Sequence, residues 1–226
     1  MNFHCAAWRM HMAEPSETFF AQHRVGPLQV WWTSHPARGS GEPVARPLLA
    51  DWFGTDPEAL PLQRDPRGRP RLEGALAAHD VGWSHSGDAL LLATGPQVQL
   101  GVDVERLRPR PRALELAERF FAPAETQALR ALPEHERTGA FLRLWCAKEA
   151  LLKAHGHGIS FGLERLTFAP VGGLDALEGA PLRLVACDPR LGAPSDWTLQ
   201  QWQPHRHYLA AVAWRAAPGG AAMGLR

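Results

Sequence analysis

Lysine is almost missing from this chain: of its 24 lysine and arginine side chains, only Lys148 and Lys153 are lysine. Tyrosine occurs once and cysteine three times in 226 residues. Cys5, Cys146 and Cys187 form an odd, sparse set without metal-type spacing, which argues against a disulfide framework and for reduced thiols in a cytoplasmic protein. No apolar run approaches the roughly 20 residues that a membrane-spanning helix needs. The opening “MNFHCAAWRMHMAEPSETFF” lacks the uninterrupted apolar stretch of a secretory leader, and Met10 and Met12 are alternative starts. Acidic and basic side chains nearly cancel, leaving a formal net charge of +1. A purely electrostatic grip on nucleic acid or an anionic membrane is therefore not indicated. A Walker A loop, a dinucleotide fingerprint and an HExxH motif are also absent.

Patterning supplies the elements. “LQVWWTS” (28–34) reads as a strand, and “ARPLLADWFG” (45–54) as a helix with one apolar face ending at Gly54. “RDPRGRPRLEG” (64–74) reads as a turn-rich connector, and “VGWSHSGDALLLATG” (81–95) as a hairpin around “SGD”. “VQLGVDVERL” (98–107) predicts another strand. Helices are expected over about 113–121, from “APAETQALRAL”, and over about 135–155, closing at Gly156. The last third returns to strands at “RLTFAPV”, “LRLVACD”, “WTLQQWQ” and “HYLAAVAWR”. Similar strand and helix patterns recur on either side of residue 97. The expected organisation is an N-terminal half over 1–97, a C-terminal half over 98–217 and a loose tail over 218–226, with residues 1–20 poorly ordered.

Chemistry concentrates in three places. In “GVDVE”, strand alternation puts Leu100, Val102 and Val104 on one face and Gly101, Asp103 and Glu105 on the other. Two carboxylates about 7 Å apart on one strand face repel unless a cation lies between them. Taken alone, such a pair is more often a solvated outer face than a magnesium site. In “LRLWCAKEALLKAHGHG” (142–158), Glu149 stands one helical turn before Lys153. A surface ion pair explains that spacing, but arginine serves as well there, and arginine is used everywhere else. A compact, rotatable ammonium suits a crowded pyrophosphate beside a metal better than a planar guanidinium does. In “WSHS”, Ser84 and His85 lie at the hairpin end. His85 reads as a phosphate donor, a nucleophile's base or an unliganded turn residue, and no G-x-S-x-G elbow favours the second. Arg46 and Arg69, the latter in “GRP” (68–70), are further phosphate candidates, although each alone is more often a surface arginine. “RLRPRPR” (106–112) reads as a solvated linker that follows directly from the carboxylate strand.

Taken in order, “GRP”, “SHS”, “GVDVE”, “RFFAPAE” and “WCAKEALLKAHGHG” resemble the phosphopantetheinyl transferase superfamily, in its two-half, surfactin-synthetase-activating type. The resemblance implies an α+β fold of two pseudo-symmetric halves, each a small antiparallel sheet with helices, and an active site between them. It implies transfer of 4′-phosphopantetheine from coenzyme A to a serine of an apo acyl or peptidyl carrier protein, with release of 3′,5′-ADP. Asp103, Glu105 and Glu149 would hold Mg²⁺ or Mn²⁺, and Lys148 and Lys153 the pyrophosphate. Arg46 and His85 would grip the 3′-phosphate, Arg69 would lie near the adenine, and Ser84, Gly68 and Pro70 would also bind the coenzyme. Glu125 would support the site. Glu149 or a bound water would deprotonate the serine, with Lys153 stabilising charge. The chain departs from the pattern in having only residues 33–45 between “VWW” and Arg46, none of them lysine, with Arg38 as a substitute candidate. Gly82 also stands where asparagine is frequent. A magnesium-dependent nuclease or phosphohydrolase using the same carboxylates, and a non-catalytic coenzyme A or nucleotide-binding module, are the competing readings. A monomer is expected, because both halves lie in one chain.

Overall fold

The computed structural model describes residues 20–36, 38–171 and 180–218. The expectations for the two termini therefore fall outside it, except that Phe20 already opens a strand. The N-terminal half runs β1 (Phe20–Val25), β2 (Leu28–Ser34), α1 (Glu42–Phe53), the short ribbon β3 (Leu62–Arg64) and β4 (Pro70–Leu72), β5 (His79–Ser86) and β6 (Ala89–Pro96). Its main sheet is antiparallel, in the order β1-β2-β6-β5. The C-terminal half runs β7 (Val98–Arg106), α2 (Ala113–Phe120), α3 (Pro123–Ala131), α4 (Glu134–His155), β8 (Leu166–Pro170), β9 (Leu182–Cys187), β10 (Thr198–His205) and β11 (Tyr208–Ala216). Its main sheet has the order β10-β11-β7, and β8 pairs only with β9.

Period-two alternation stacks these parts into four layers. Leu28, Val30, Trp32, Leu91 and Ala93 from the first sheet meet Leu100, Val102, Val104, Ala210 and Val212 from the second. On the outer face of the first sheet, Trp31, Leu90 and Leu92 receive Ala45 and Leu49 of α1. On the outer face of the second, Leu209, Ala211 and Ala213 receive α4 through residues such as Leu144, Ala147 and Leu151. The runs “VWW” and “LLLA” are continuously apolar because β2 and β6 are covered on both sides. The class is α+β, as the sequence predicts, with each half built as a sheet carrying a helix on its outer side.

One contact fixes how closely β7 and α4 approach. A Cβ built on Gly101 would lie 2.1 Å from the Ala150 carbonyl oxygen and 2.3 Å from the Ala154 nitrogen. Both obstacles are backbone, so neither can swing aside. The strand therefore lies backbone against backbone on the helix, and only glycine fits. Gly156 then ends α4 at φ +86°, its N–H bonded to the carbonyls of Leu152 and Lys153. Gly101→Ala is expected to destabilise the fold by at least the 1–3 kcal/mol or so of an overpacked core. Urea unfolding checks this, and an unchanged midpoint would contradict the close approach.

Candidate active site

The approach at Gly101 sets the geometry of everything beside it. Because Leu100, Val102 and Val104 point between the sheets, Asp103 and Glu105 share the α4 side of β7 with Gly101. From α4, Lys153 reaches across to them. Its Nζ donates to Asp103 Oδ1 at 2.6 Å and to Ser84 Oγ at 3.0 Å, while Ser84 Oγ donates to the same Asp103 oxygen at 3.0 Å. Asp103 is 4% exposed, and its other oxygen, Oδ2, is buried without a hydrogen-bond partner. Burial alone would lower the Lys153 pKa, but Asp103, joined by Glu149, outweighs it and the net shift is upward.

The neighbouring carboxyls feel one another. Burial pushes Glu149 up to about 7; Lys153 opposes the shift, and Asp103 and Glu105 reinforce it. Burial also raises Glu105, again helped by Asp103, while Arg110 counteracts from 3.3 Å. Among the described residues, no three His, Cys, Asp or Glu side chains stand as a ready-made metal-ligand set. The donors nevertheless suit a hard cation: an orphaned buried carboxylate oxygen beside two acids whose charges repel it.

Next to this centre lies a cleft of about 240 Å³, lined by Arg64, Arg67, the 68–70 turn, Trp83 and Lys153. The Arg64 guanidinium stacks 5.3 Å from the Trp83 ring and pairs with Glu42. At the end of β5, exposed His85 lies parallel to the buried His35 ring, with centroids 4.4 Å apart and planes 11° apart. Partial burial, then His35 and Lys153, lower the pKa of His85.

The family model of the 4′-phosphopantetheinyl transferase superfamily matches residues 99–213, which hold β7, α4 and most of the C-terminal half. The phosphopantetheinyl transferase HetI of Nostoc sp. is 32% identical over 217 residues, covering 91% of this chain and 85% of its own length. The chain belongs to the 4′-phosphopantetheinyl transferase superfamily. The transferase psf-1 of Bacillus pumilus is 32% identical over 127 residues, 56% of this chain and 53% of that protein. The human L-aminoadipate-semialdehyde dehydrogenase-phosphopantetheinyl transferase is 26% identical over 244 residues, 96% of this chain and 74% of that protein. Similarity thus extends well beyond the motif-bearing half, and the chain is an enzyme of the phosphopantetheinyl transferase class.

Within this transferase, three expected ligand contacts are made differently. Lys148 does not face the cleft. It is fully buried, its Nζ 2.7 Å from Glu125 Oε2 and donating also to the carbonyls of Leu163 and Leu166. Three donors meet three acceptors, so no valence is left for a pyrophosphate. Glu125 in turn accepts from the N–H groups of Ala122 and Phe168, so it supports the site by pinning α3 and β8 to α4. Burial pushes Glu125 up and Lys148 down, and their mutual attraction works against both shifts. Arg46 is committed to the carbonyls of Pro57, Leu60 and Leu62 and to Glu42, tying α1 to the β3 segment. Arg69 turns inward, bonding Asp80 and the carbonyls of Leu100 and Ala154, while residues 68–70 line the cleft.

Two residues escape sequence reasoning. Asp80 accepts from Arg69, the Leu100 N–H and the Val81 N–H, and so joins the halves beneath the cleft. Nothing around “HDVG” separates it from a surface aspartate. His35 lies in the 33–45 segment, and nothing in “TSHPARGS” separates its buried ring from a loop histidine. The buried pair yields a test. Lys148→Met leaves Glu125 charged and alone, at an expected cost of about 3–5 kcal/mol. Adding Glu125→Gln should restore part of the loss in denaturant melts, and a Lys148→Met protein as stable as the parent would contradict the pairing.

Proposed function

We propose that this transferase moves 4′-phosphopantetheine from coenzyme A to a serine hydroxyl of an apo acyl or peptidyl carrier protein, releasing 3′,5′-ADP. The single observation that carries the reading is the convergence of Lys153, Asp103 and Glu149 on one side of β7, at the wall of the cleft. Asp103, Glu105 and Glu149 would hold Mg²⁺ or Mn²⁺. Bound there, the cation supplies charge neutralisation for the pyrophosphate.

The chain's own groups do the rest. Lys153, about one-third exposed at its side chain, presents an ammonium to the pyrophosphate. Its partner Asp103 has a second, unpartnered oxygen, so accepting a cation leaves that carboxylate with more neighbours rather than fewer. Glu149, on the same side of β7 as Asp103 and Lys153, or a bound water, would receive the serine proton. The serine oxygen then attacks the phosphorus bearing pantetheine, and the P–O bond to the nucleotide phosphate breaks. Phosphoryl transfer of this kind depends on positioning and charge stabilisation, which a few carboxylates and cations provide. The 68–70 turn and Trp83 offer the nucleotide a flat, partly apolar wall. The proposal includes action as a monomer in the cytoplasm: both halves of the site lie in one chain, and Cys146 and Cys187 are free thiols.

Intact-mass measurement of an apo carrier protein incubated with coenzyme A, Mg²⁺ and the enzyme tests this. The carrier is expected to gain one phosphopantetheine. Glu149→Gln should lower the rate by roughly 10²-fold or more while the fold persists. Chelation should stop transfer, and added Mg²⁺ or Mn²⁺ should restore it. A carrier left unmodified, or Glu149→Gln at the parental rate, would overturn the assignment.

A further inference from the structure

The 33–45 segment holds a feature that the motif-based roles do not use. His35 is 4% exposed, yet it lies plane-parallel on His85, the exposed histidine at the edge of the site. Its backbone N–H donates to the Asp88 carbonyl at 2.8 Å, tying the end of β2 to the turn that closes the β5–β6 hairpin. Its ring Nε2 stands 3.3 Å from the Ser40 carbonyl oxygen. A carbonyl only accepts, so Nε2 carries the hydrogen and Nδ1 of the neutral ring is a bare, buried, unpartnered nitrogen. The backbone bond fixes the main chain at His35, burial and the Ser40 bond restrain the ring, and the ring's face is what it presents to His85.

We propose that His35 is a positioning residue for phosphate-ester recognition: a fixed aromatic plate that orients the His85 imidazole towards the terminal 3′-phosphate of coenzyme A. This rests on the reading of His85 as a phosphate donor in the transferase. The need for such a plate follows from the chain's composition. Residues 33–45 contain no lysine, their one arginine, Arg38, is exposed, and Arg46 is spent on three carbonyls and Glu42. A single exposed imidazole left to rotate about χ1 and χ2 makes a poor anion site, because ordering it on binding costs side-chain entropy. Stacking on a preset ring removes that cost before the ligand arrives. The stack leaves the edge of the His85 ring, with its two nitrogens, free to face a phosphate oxygen, while the face is taken by His35.

Calorimetric titration of the full chain with coenzyme A and with dephospho-coenzyme A tests the role without depending on turnover. The parent should bind coenzyme A more tightly than the dephospho form. His35→Ala should weaken coenzyme A binding roughly tenfold, about the value of one charge-assisted hydrogen bond loosened, and leave the dephospho affinity unchanged. His35→Phe, which keeps a buried ring under His85 but gives up the Ser40 bond, should recover part of the preference. Equal losses for both ligands, no loss for either, or failure of phenylalanine to rescue would each overturn the proposal. A parent protein that binds neither ligand would instead overturn the transferase reading beneath it.

Discussion

The site depends on how near a strand can come to a helix. Where β7 crosses α4, the absence of one methyl group at Gly101 lets two backbones touch. That contact brings Asp103 and Glu105 alongside Glu149 and Lys153, and the Lys153–Asp103 pair at 2.6 Å adds to it. The position is costly for its own acids: burial first, and mutual repulsion second, raise the pKa values of Glu149 and Glu105. Packing elsewhere holds them there: apolar layers on both faces of the second sheet, and the Glu125–Lys148 pair that locks α3 and β8 to the same helix. A site that repels itself when empty is prepared for a cation and a cationic side chain together.

The two lysines show why residue scarcity and residue role are separate questions. Both are kept where arginine would be misplaced, but for different reasons. Lys148 needs a compact head with three donors for a sealed pocket of three acceptors, and a guanidinium would neither fit nor find partners for its extra N–H groups. Lys153 needs reach and rotation at the edge of a cleft. The sequence shows that lysine matters at both positions. It does not show which one faces inward, because α4 is buried around much of its circumference and has no clean polar face.

Most of the fold was legible. Alternation and helix periodicity give β2, α1, the β5–β6 hairpin, β7, α2 to α4 and the four late strands with boundaries close to those observed. The misses share a cause. β1 (“FAQHRV”) is an edge strand with mostly exposed, polar residues, so its pairing to β2 leaves little hydrophobic trace. The β3–β4 ribbon is only three residues per strand around a proline–glycine turn, too short for a period to register. At the site, residue types were easier to read than orientations. Asp103, Glu149, Lys153, Ser84 and His85 gather around one end of β5, β7 and α4, whereas Arg46 and Arg69 are drawn away by buried carbonyls that no local pattern announces. Unsatisfied backbone acceptors decide where a guanidinium goes, and they are a property of the assembled fold.

We propose that three acidic side chains and one ammonium, brought together where β7 crosses α4, form a single centre for a divalent ion and a pyrophosphate. Anomalous diffraction from crystals grown with Mn²⁺ and coenzyme A tests it most directly. The account predicts one strong manganese peak among the carboxylates of Asp103, Glu105 and Glu149, with the pyrophosphate against Lys153 and Lys148 still on Glu125. A manganese peak away from those three carboxylates, or a pyrophosphate held without Lys153, would contradict it.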